Sequence, residues 1–218
     1  MSQAESVAAS VADFYEHEKD GWCTPEKAAK IAELCLRADV MRCVEIGVFT
    51  GRSLLPAALA LAEKGVSISP YGQQLGFIVG VDPYDAAMQV EGFGDRADHD
   101  DWGRRVPWEE LYSRALGHIR SYRLEQHCGI LRTPSHSAAN LFPSQSLDYV
   151  HVDGNHSAKR SFEDATLWLD RVRIGGYLIF DDVNWDTTQD AVRFLDAQCE
   201  TVFKSSPDWW TIYRRDRL

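Results

Sequence analysis

The sequence predicts an α/β protein built on a doubly wound, mostly parallel sheet, and three observations carry that prediction. Short apolar runs of β-favouring residues alternate with stretches of helical composition along most of the chain. Several of those runs end in polar residues, as strands do where an open sheet gathers its ligand-binding ends. With 218 residues, 44% of them hydrophobic, the chain can bury one good core, so a single domain over 1–218 is expected.

Two helices come first, from Ala4 to His17 and from Pro25 to Arg37, the second opened by Thr24 as N-cap with Pro25 in its first turn. Residues 1–40 thus form a helical lid ahead of the first strand, Cys43 to Ile46. The run VEIGVFTGRS, Val44 to Ser53, then passes from strand through a tight loop bracketed by Gly47 and Gly51 into a helix over Arg52–Lys64. A Gly/Ser/Pro-rich loop, Gly65 to Gly72, leads to the second strand, Leu75 to Asp82. Residues Pro83 to Trp108 are rich in Asp, Gly and aromatics without a clear period, as expected of a long functional loop or short cap helices. They open an insert, 83–125, that would cover the substrate and that contains a helix over Trp108–Ser121. The third strand is Cys128 to Thr133 and the fourth Leu147 to Asp153. A helix over Ala158–Arg171 and a turn at Gly175 and Gly176 return the chain to the fifth strand, Tyr177 to Asp182. A helix over Thr187–Ala197 and a pair of strands, Thr201–Ser205 and Trp209–Arg215, complete the chain.

The formal charge of -10 and a pI near 5.1 argue against a nucleic-acid partner, which draws on a positive phosphate footprint. The terminal RRDRL is a local basic cluster of the kind found on solvated tails. Five scattered cysteines, odd in number and without a C-x-x-C pair, indicate neither a disulfide framework nor a zinc site and fit a reducing cytoplasm. No secretory signal and no apolar run of ~18 residues appears, so a soluble cytoplasmic protein without membrane contact is expected.

The loop after the first strand reads Glu-x-Gly-x-x-x-Gly, and Phe49 stands where a dinucleotide fingerprint has the glycine that admits a pyrophosphate. S-adenosylmethionine carries an adenosine without a phosphate and suits such a turn, with Glu45 accepting from its ammonium or from the loop; the other reading is an ordinary β–α turn. Asp82 follows Glu45 by 37 residues (82 minus 45) and would hold ribose hydroxyls, or else cap a helix. Asp153, Asp181 and Asp182 fall at adjacent strand ends, where carboxylates repel unless a cation or protons sit among them. An oxygen-only set points to Mg²⁺, Mn²⁺ or Ca²⁺. His156 suits a general base or a metal ligand; alternatively Asn155 and His156 cap the next helix and Asp153 binds a turn. Trp102, Trp108, Phe93, Tyr84 and Trp185 are candidates for the substrate wall, whereas Trp209, Trp210 and Tyr213 are assigned to core or dimer packing. His99, Asp100 and Asp101 form an acidic loop that either covers the metal or is simply solvated.

In order and spacing, VEIGVFTGRS, VDPYD, LRTPSHSAA, DYVHVDGNHS and GGYLIFDD, with GWCTPEKA before them, resemble a class I S-adenosylmethionine-dependent methyltransferase, close to the small bacterial branch of macrocin-type O-methyltransferases. The resemblance covers most of the chain and implies a Rossmann-like, seven-stranded sheet whose last strand is antiparallel. It places Glu45 and Gly47 at the methionine end of the cofactor, Asp82 at the ribose, and Ser135 with His136 near the adenine, with Thr50, Gly51, Ser53 and Asp153 as further cofactor-binding candidates. It also implies acidic metal ligands at Asp153, Asp181 and Asp182. The chain departs from the pattern in detail: Asp181 and Asp182 are followed by Val183 and Asn184, and Asn155 stands where the sugar enzymes carry an acidic base, which leaves His156 for that role. The expected activity is O-methylation of a small hydroxylated metabolite, sugar or phenolic, with Mg²⁺ assistance. Two rivals are an NAD-dependent oxidoreductase, against which Phe49 counts, and a non-catalytic adenosyl-ligand-binding protein. The N-terminal helices and exposed aromatics permit a homodimer.

Overall fold

The run Arg42–Ile46 is buried at four of its five positions, as only a strand with neighbours on both edges and helices on both faces can be. In the computed structural model, which describes residues 1–69, 72–92, 97–207 and 209–216, this run is β1, at the centre of a seven-stranded sheet. A small antiparallel hairpin follows, β2 (Val66–Ser69) with β3 (Gly72–Leu75). The sheet is completed by β4 (Phe77–Val81), β5 (Cys128–Leu131), β6 (Leu147–Val152), β7 (Val172–Asp181), β8 (Cys199–Lys204) and β9 (Trp210–Arg215), in the order β5-β4-β1-β6-β7-β9-β8. The first five of these positions run parallel, and β9 inserts antiparallel between β7 and β8. This is the expected Rossmann-like architecture.

Helices cover both faces. The four long ones on the first face are α1 (Gln3–His17), α2 (Pro25–Cys35), α3 (Leu54–Lys64) and, beyond α4 (Ala86–Val90) and α5 (Ala97–Arg105), α6 (Trp108–Ser121). The other face carries α7 (Ser135–Ala138), α8 (Ala158–Arg171) and α9 (Gln189–Gln198). Local chemistry sets their starts: the Ser2 hydroxyl and Glu5 form a capping box on α1, and the Thr24 Oγ1 accepts from the Lys27 N–H at 3.2 Å on α2. The lid segment is docked rather than loose. The Tyr15 hydroxyl reaches the carbonyls of Cys23 at 3.1 Å and Arg52 at 3.0 Å, and Thr50 Oγ1 donates to the carbonyl of Asp20 at 2.7 Å.

Three details differ from the sequence reading. The Gly65–Gly72 segment contributes to the β2–β3 hairpin, which takes Leu75, so the second sheet strand begins at Phe77. The pair Gly175–Gly176 makes no turn: Gly175, at φ +78°, bulges β7, which already begins at Val172. The insert after β4 folds into α4 and α5, the cap-helix alternative. Phe93 lies outside the described residues, as do the side chains of His99 and Asp100, while Asp101 is exposed and pairs with Arg105 on its own helix. Among the described residues no helix is long and apolar enough to cross a membrane, and no disulfide joins the five buried cysteines.

Candidate active site

From β1 the chain winds outward through β4 to β5, then returns to the other side of β1 as β6, so the sheet order reverses at β1. Ligands of open α/β sheets bind outside the carboxyl ends of the strands at such a point. Here the first residue beyond β1 meets the first beyond β6. Gly47, at φ +83°, lies so close to Asp153 that a Cβ on it would stand 1.9 Å from the Asp153 carbonyl oxygen. Only glycine fits.

Asp82, at the end of β4, fastens the loop that follows Gly47. Its Oδ2 accepts from the N–H groups of Val48 at 2.9 Å and Phe49 at 3.1 Å, and its Oδ1 from that of Tyr84 at 2.8 Å. Burial pushes this carboxyl up despite the three donors. Phe49 and Tyr84 both hold positive φ, and the Tyr84 hydroxyl donates to the Phe49 carbonyl at 2.9 Å. The loop N–H groups that a phosphate would take are thus already held by a carboxylate. Such a site repels a pyrophosphate and accepts an adenosine ligand without one.

The crevice has three connecting chambers. The middle one is walled by Gly47, Val48, Phe49, Thr50, Ser53 and Asp82, with Trp108 and Asp153 opposite. Through Gly47, Gln89, Gly154 and Asn155 it opens into a second, bounded by Pro134, Ser135, His136 and Asp164. Through Trp22, Trp102, Asp153 and His156 it opens into a third, a cavity of about 350 Å³ that also takes in Lys27, Asp182, Trp185, Trp209 and Trp210. Trp209, expected in the core or at a dimer contact, is exposed and walls a cavity, whereas Trp210, which also borders that cavity, and Tyr213 are buried in the core as expected. Glu45 and Gly51 are absent from these walls and shape them from behind: Glu45 is fully buried, accepting from Ser53 Oγ at 3.0 Å, and Gly51 turns the loop at φ +89°. Ser135 is likewise engaged, donating to Asp164 and accepting from Trp168 Nε1 at 2.7 Å, while burial pushes the Asp164 carboxyl up to about 7.

Behind the third chamber runs a buried chain of ionisable groups. His151, in the middle of β6 and in register with Glu45 of β1, pairs through Nδ1 with Glu45 at 3.0 Å and through Nε2 with Asp181 at 3.1 Å. Asp181 also pairs with the ammonium of Lys27, which reaches in from the first turn of α2 and lies 3.6 Å from Asp153 Oδ2. Burial opposes the Lys27 charge, but Asp181 and Asp153 outweigh it and hold the lysine protonated. Burial and the Asp181 charge push Asp153 up to about 6, against the pull of Lys27. Asp182, at φ +48°, turns the other way and meets His156 Nε2 at 2.7 Å, with the Trp185 ring against the imidazole. Burial works against a charge on His156, yet the hydrogen bond and charge of Asp182 raise its pKa above the ordinary imidazole value.

This arrangement corrects the expected ligand trio. The described residues gather His151, Asp153 and Asp181 at one point and Asp153, His156 and Asp182 at another, but not Asp153, Asp181 and Asp182 together. Lys27 supplies a cation at the first point, and the second contains an imidazole where magnesium prefers oxygen. An oxygen-bound Mg²⁺ does not fit these residues. Asn155, which one reading made a helix cap together with His156, forms a turn just before the N-cap Ser157, its Oδ1 accepting from the Ser157 N–H at 2.8 Å, and its Nδ2 also holds the carbonyls of Met88, Gln89 and Glu91 in the insert. His156 does not cap the helix.

The fold and site define a doubly wound α/β protein with a ligand crevice at its switch point and a further cavity beside it. Residues 44–183 match the family model described as Methyltransferase domain, and the chain belongs to that family. It is 25% identical over 163 residues to tricin synthase 1 of Oryza sativa subsp. japonica, a match that takes in 75% of this chain and 53% of that protein. The chain thus spans about half the length of that relative. Among solved structures, its fold is similar to that of the O-methyltransferase TomG from Streptomyces achromogenes, in complex with SAM, at a TM-score of 0.61 and 15% identity, covering 99% of this chain and 91% of that one. An O-methyltransferase from Bacillus cereus in complex with SAH is similar at a TM-score of 0.56 and 14% identity, again over 99% and 91%.

Proposed function

We propose that this chain moves a methyl group from S-adenosylmethionine to the hydroxyl of a small acceptor seated in the tryptophan-walled cavity, with His156 taking the hydroxyl proton. The observation that carries this reading is His156 on the wall shared by the middle chamber and that cavity, paired there with Asp182 on the cavity side. The names of the two similar structures, both O-methyltransferases, point to the same kind of acceptor.

Bound S-adenosylmethionine supplies a methyl carbon on a positively charged sulfur. The middle chamber would take its methionine and ribose, with Asp82 toward the ribose and Gly47 leaving room beside Asp153, and the chamber of Ser135 and His136 would take the adenine. The chain's own work is positioning and proton transfer. Asp182 holds the Nε2 proton of His156, which leaves Nδ1 as the basic nitrogen for the acceptor hydroxyl. The acceptor oxygen then forms its bond to the methyl carbon as the carbon–sulfur bond breaks and its electron pair returns to sulfur. Flat indole walls exclude water and hold the acceptor in line.

Calorimetry with S-adenosylhomocysteine, followed by a panel of phenolic and sugar acceptors with and without His156→Gln, tests the proposal. Wild type is expected to bind the product analogue and to methylate a hydroxyl, with His156→Gln slowed about a hundredfold at unchanged product affinity. A His156→Gln enzyme of normal rate across pH removes His156 as the base.

A further inference from the structure

We infer that Lys27 is the resident cation of this site, standing where the strand-end carboxylates would otherwise call for a metal ion, so that methyl transfer by this chain needs no divalent metal. The inference rests on the methyl-transfer reading above but is carried by different residues. Asp153 and Asp181 stand at the ends of neighbouring strands, β6 and β7, and two carboxylates so placed, one half-buried and one buried, call for a positive charge between them. The chain provides one covalently. Thr24 and Pro25 fix the start of α2, and that start aims the stem of Lys27 across the strand ends, with 5% of the side chain exposed. Its ammonium bonds Asp181 and lies 3.6 Å from Asp153 Oδ2.

Asp181 Oδ2 is already committed, because besides the ammonium it receives His151 Nε2 at 3.1 Å, and His151 is in turn held by Glu45. A divalent ion brought to Asp153 and Asp181 would meet the ammonium at close range in a site shielded from water, where like charges repel strongly. Asp182, the third carboxylate of the expected set, is turned away to His156. Lys27 also lies on the wall of the acceptor cavity, so its charge faces the oxygen that loses a proton during transfer. The lysine is thus placed to do for the acceptor what a bound metal does elsewhere: attract the oxygen and favour its deprotonated form.

The test is a titration with Mn²⁺, followed by the paramagnetic signal of the free ion, on wild type, Lys27→Met and Lys27→Arg, each checked for folding and for S-adenosylhomocysteine affinity by calorimetry. Wild type and Lys27→Arg are expected to leave Mn²⁺ free, whereas Lys27→Met, which bares Asp153 and Asp181, gains a site at least about tenfold tighter than any in wild type. Binding of Mn²⁺ by wild type in competition with Mg²⁺ overturns the inference, and so does a folded Lys27→Met that gains no site. Should Lys27→Met not fold, wild type decides alone: the Lys27 ammonium resonance, assigned with Lys27→Arg, stays sharp in Mn²⁺ if the inference holds and broadens away if it does not. Failure of wild type to bind S-adenosylhomocysteine would strike the methyl-transfer reading and leave the Mn²⁺ result standing.

Discussion

Gly47→Ala adds one methyl group at the closest approach between two strand ends, and the structure sets the size of its effect. The new Cβ would lie 1.9 Å from the Asp153 oxygen and 2.6 Å from its carbonyl carbon, with Gly154 Cα at 3.2 Å. The backbone is at φ +83°, where an L side chain costs about 1 to 2 kcal/mol. Relief of the overlap requires β1 and β6 to part by roughly 1 Å, since non-bonded heavy atoms settle beyond about 3 Å. That movement breaks or stretches the bond from Asp153 N–H to the Ile46 carbonyl at 2.8 Å, which contributes about 1 kcal/mol. Together the terms predict a loss of roughly 2 to 3 kcal/mol in urea denaturation. Cofactor binding suffers as well, because the displaced loop carries Val48, Phe49 and Thr50 along one wall; calorimetry with S-adenosylhomocysteine is expected to show affinity down about a hundredfold or more. A Gly47→Ala protein within ~1 kcal/mol of wild type that binds S-adenosylhomocysteine normally would refute the assignment of this loop.

Gly117→Ala is the matching control: a Cβ there meets nothing within 4 Å, so the change on α6 should raise stability by about 0.5 to 1 kcal/mol in the same assay. Because the pKa of His156 is raised, its neutral, proton-accepting form is lost as pH falls through a value above the ordinary ~6.5, and the methylation rate should fall on that limb; His156→Gln should flatten it. The matching contribution of His156 to stability has the opposite sense, being full below ~6.5 and fading as pH rises through the raised value, which melting curves across that window can check. Asp148 accepts from the Met41 and Arg42 N–H groups and from Arg173 Nε; burial opposes its charge, but the arginines hold its pKa below the usual carboxylate value. Its contribution is therefore present above ~3.8 and lost as pH falls through the lower folded value, and Asp148→Asn should cost about 2 kcal/mol at neutral pH while flattening the acid limb.

The sheet was legible because β1, β4, β6 and the later part of β7 are mostly apolar runs between helical stretches, as buried parallel strands are. The bulge in β7 was not, since two adjacent glycines read equally well as a turn until the partner strand is known. At the site, Gly47 and Asp82 showed through their place at strand ends. His151 and Glu45 carried a signal that the motif reading passed over: two ionisable residues in the middle of apolar strands each require a buried partner, and adjacent strands supply it. Lys27 gave no such signal. A lysine in the first turn of an amphipathic helix looks solvated, and only the docking of α2 against the strand ends shows otherwise. Trp209 misled because a paired aromatic beside a terminal strand is the usual mark of core packing, which its neighbour Trp210 shows.

The distribution of indole rings has an optical consequence. Of the seven tryptophans, Trp22, Trp102, Trp185, Trp209 and Trp210 wall the proposed acceptor cavity and Trp108 the middle chamber, while the buried Trp168 donates to Ser135 at the edge of the second. Nearly all of the intrinsic ultraviolet emission of this protein therefore arises within one crevice. A ligand that enters displaces water from those rings and shifts their fluorescence, with no label attached and no background of remote chromophores. The unknown acceptor can be sought by screening compounds for the change in emission they cause, before any turnover is measured.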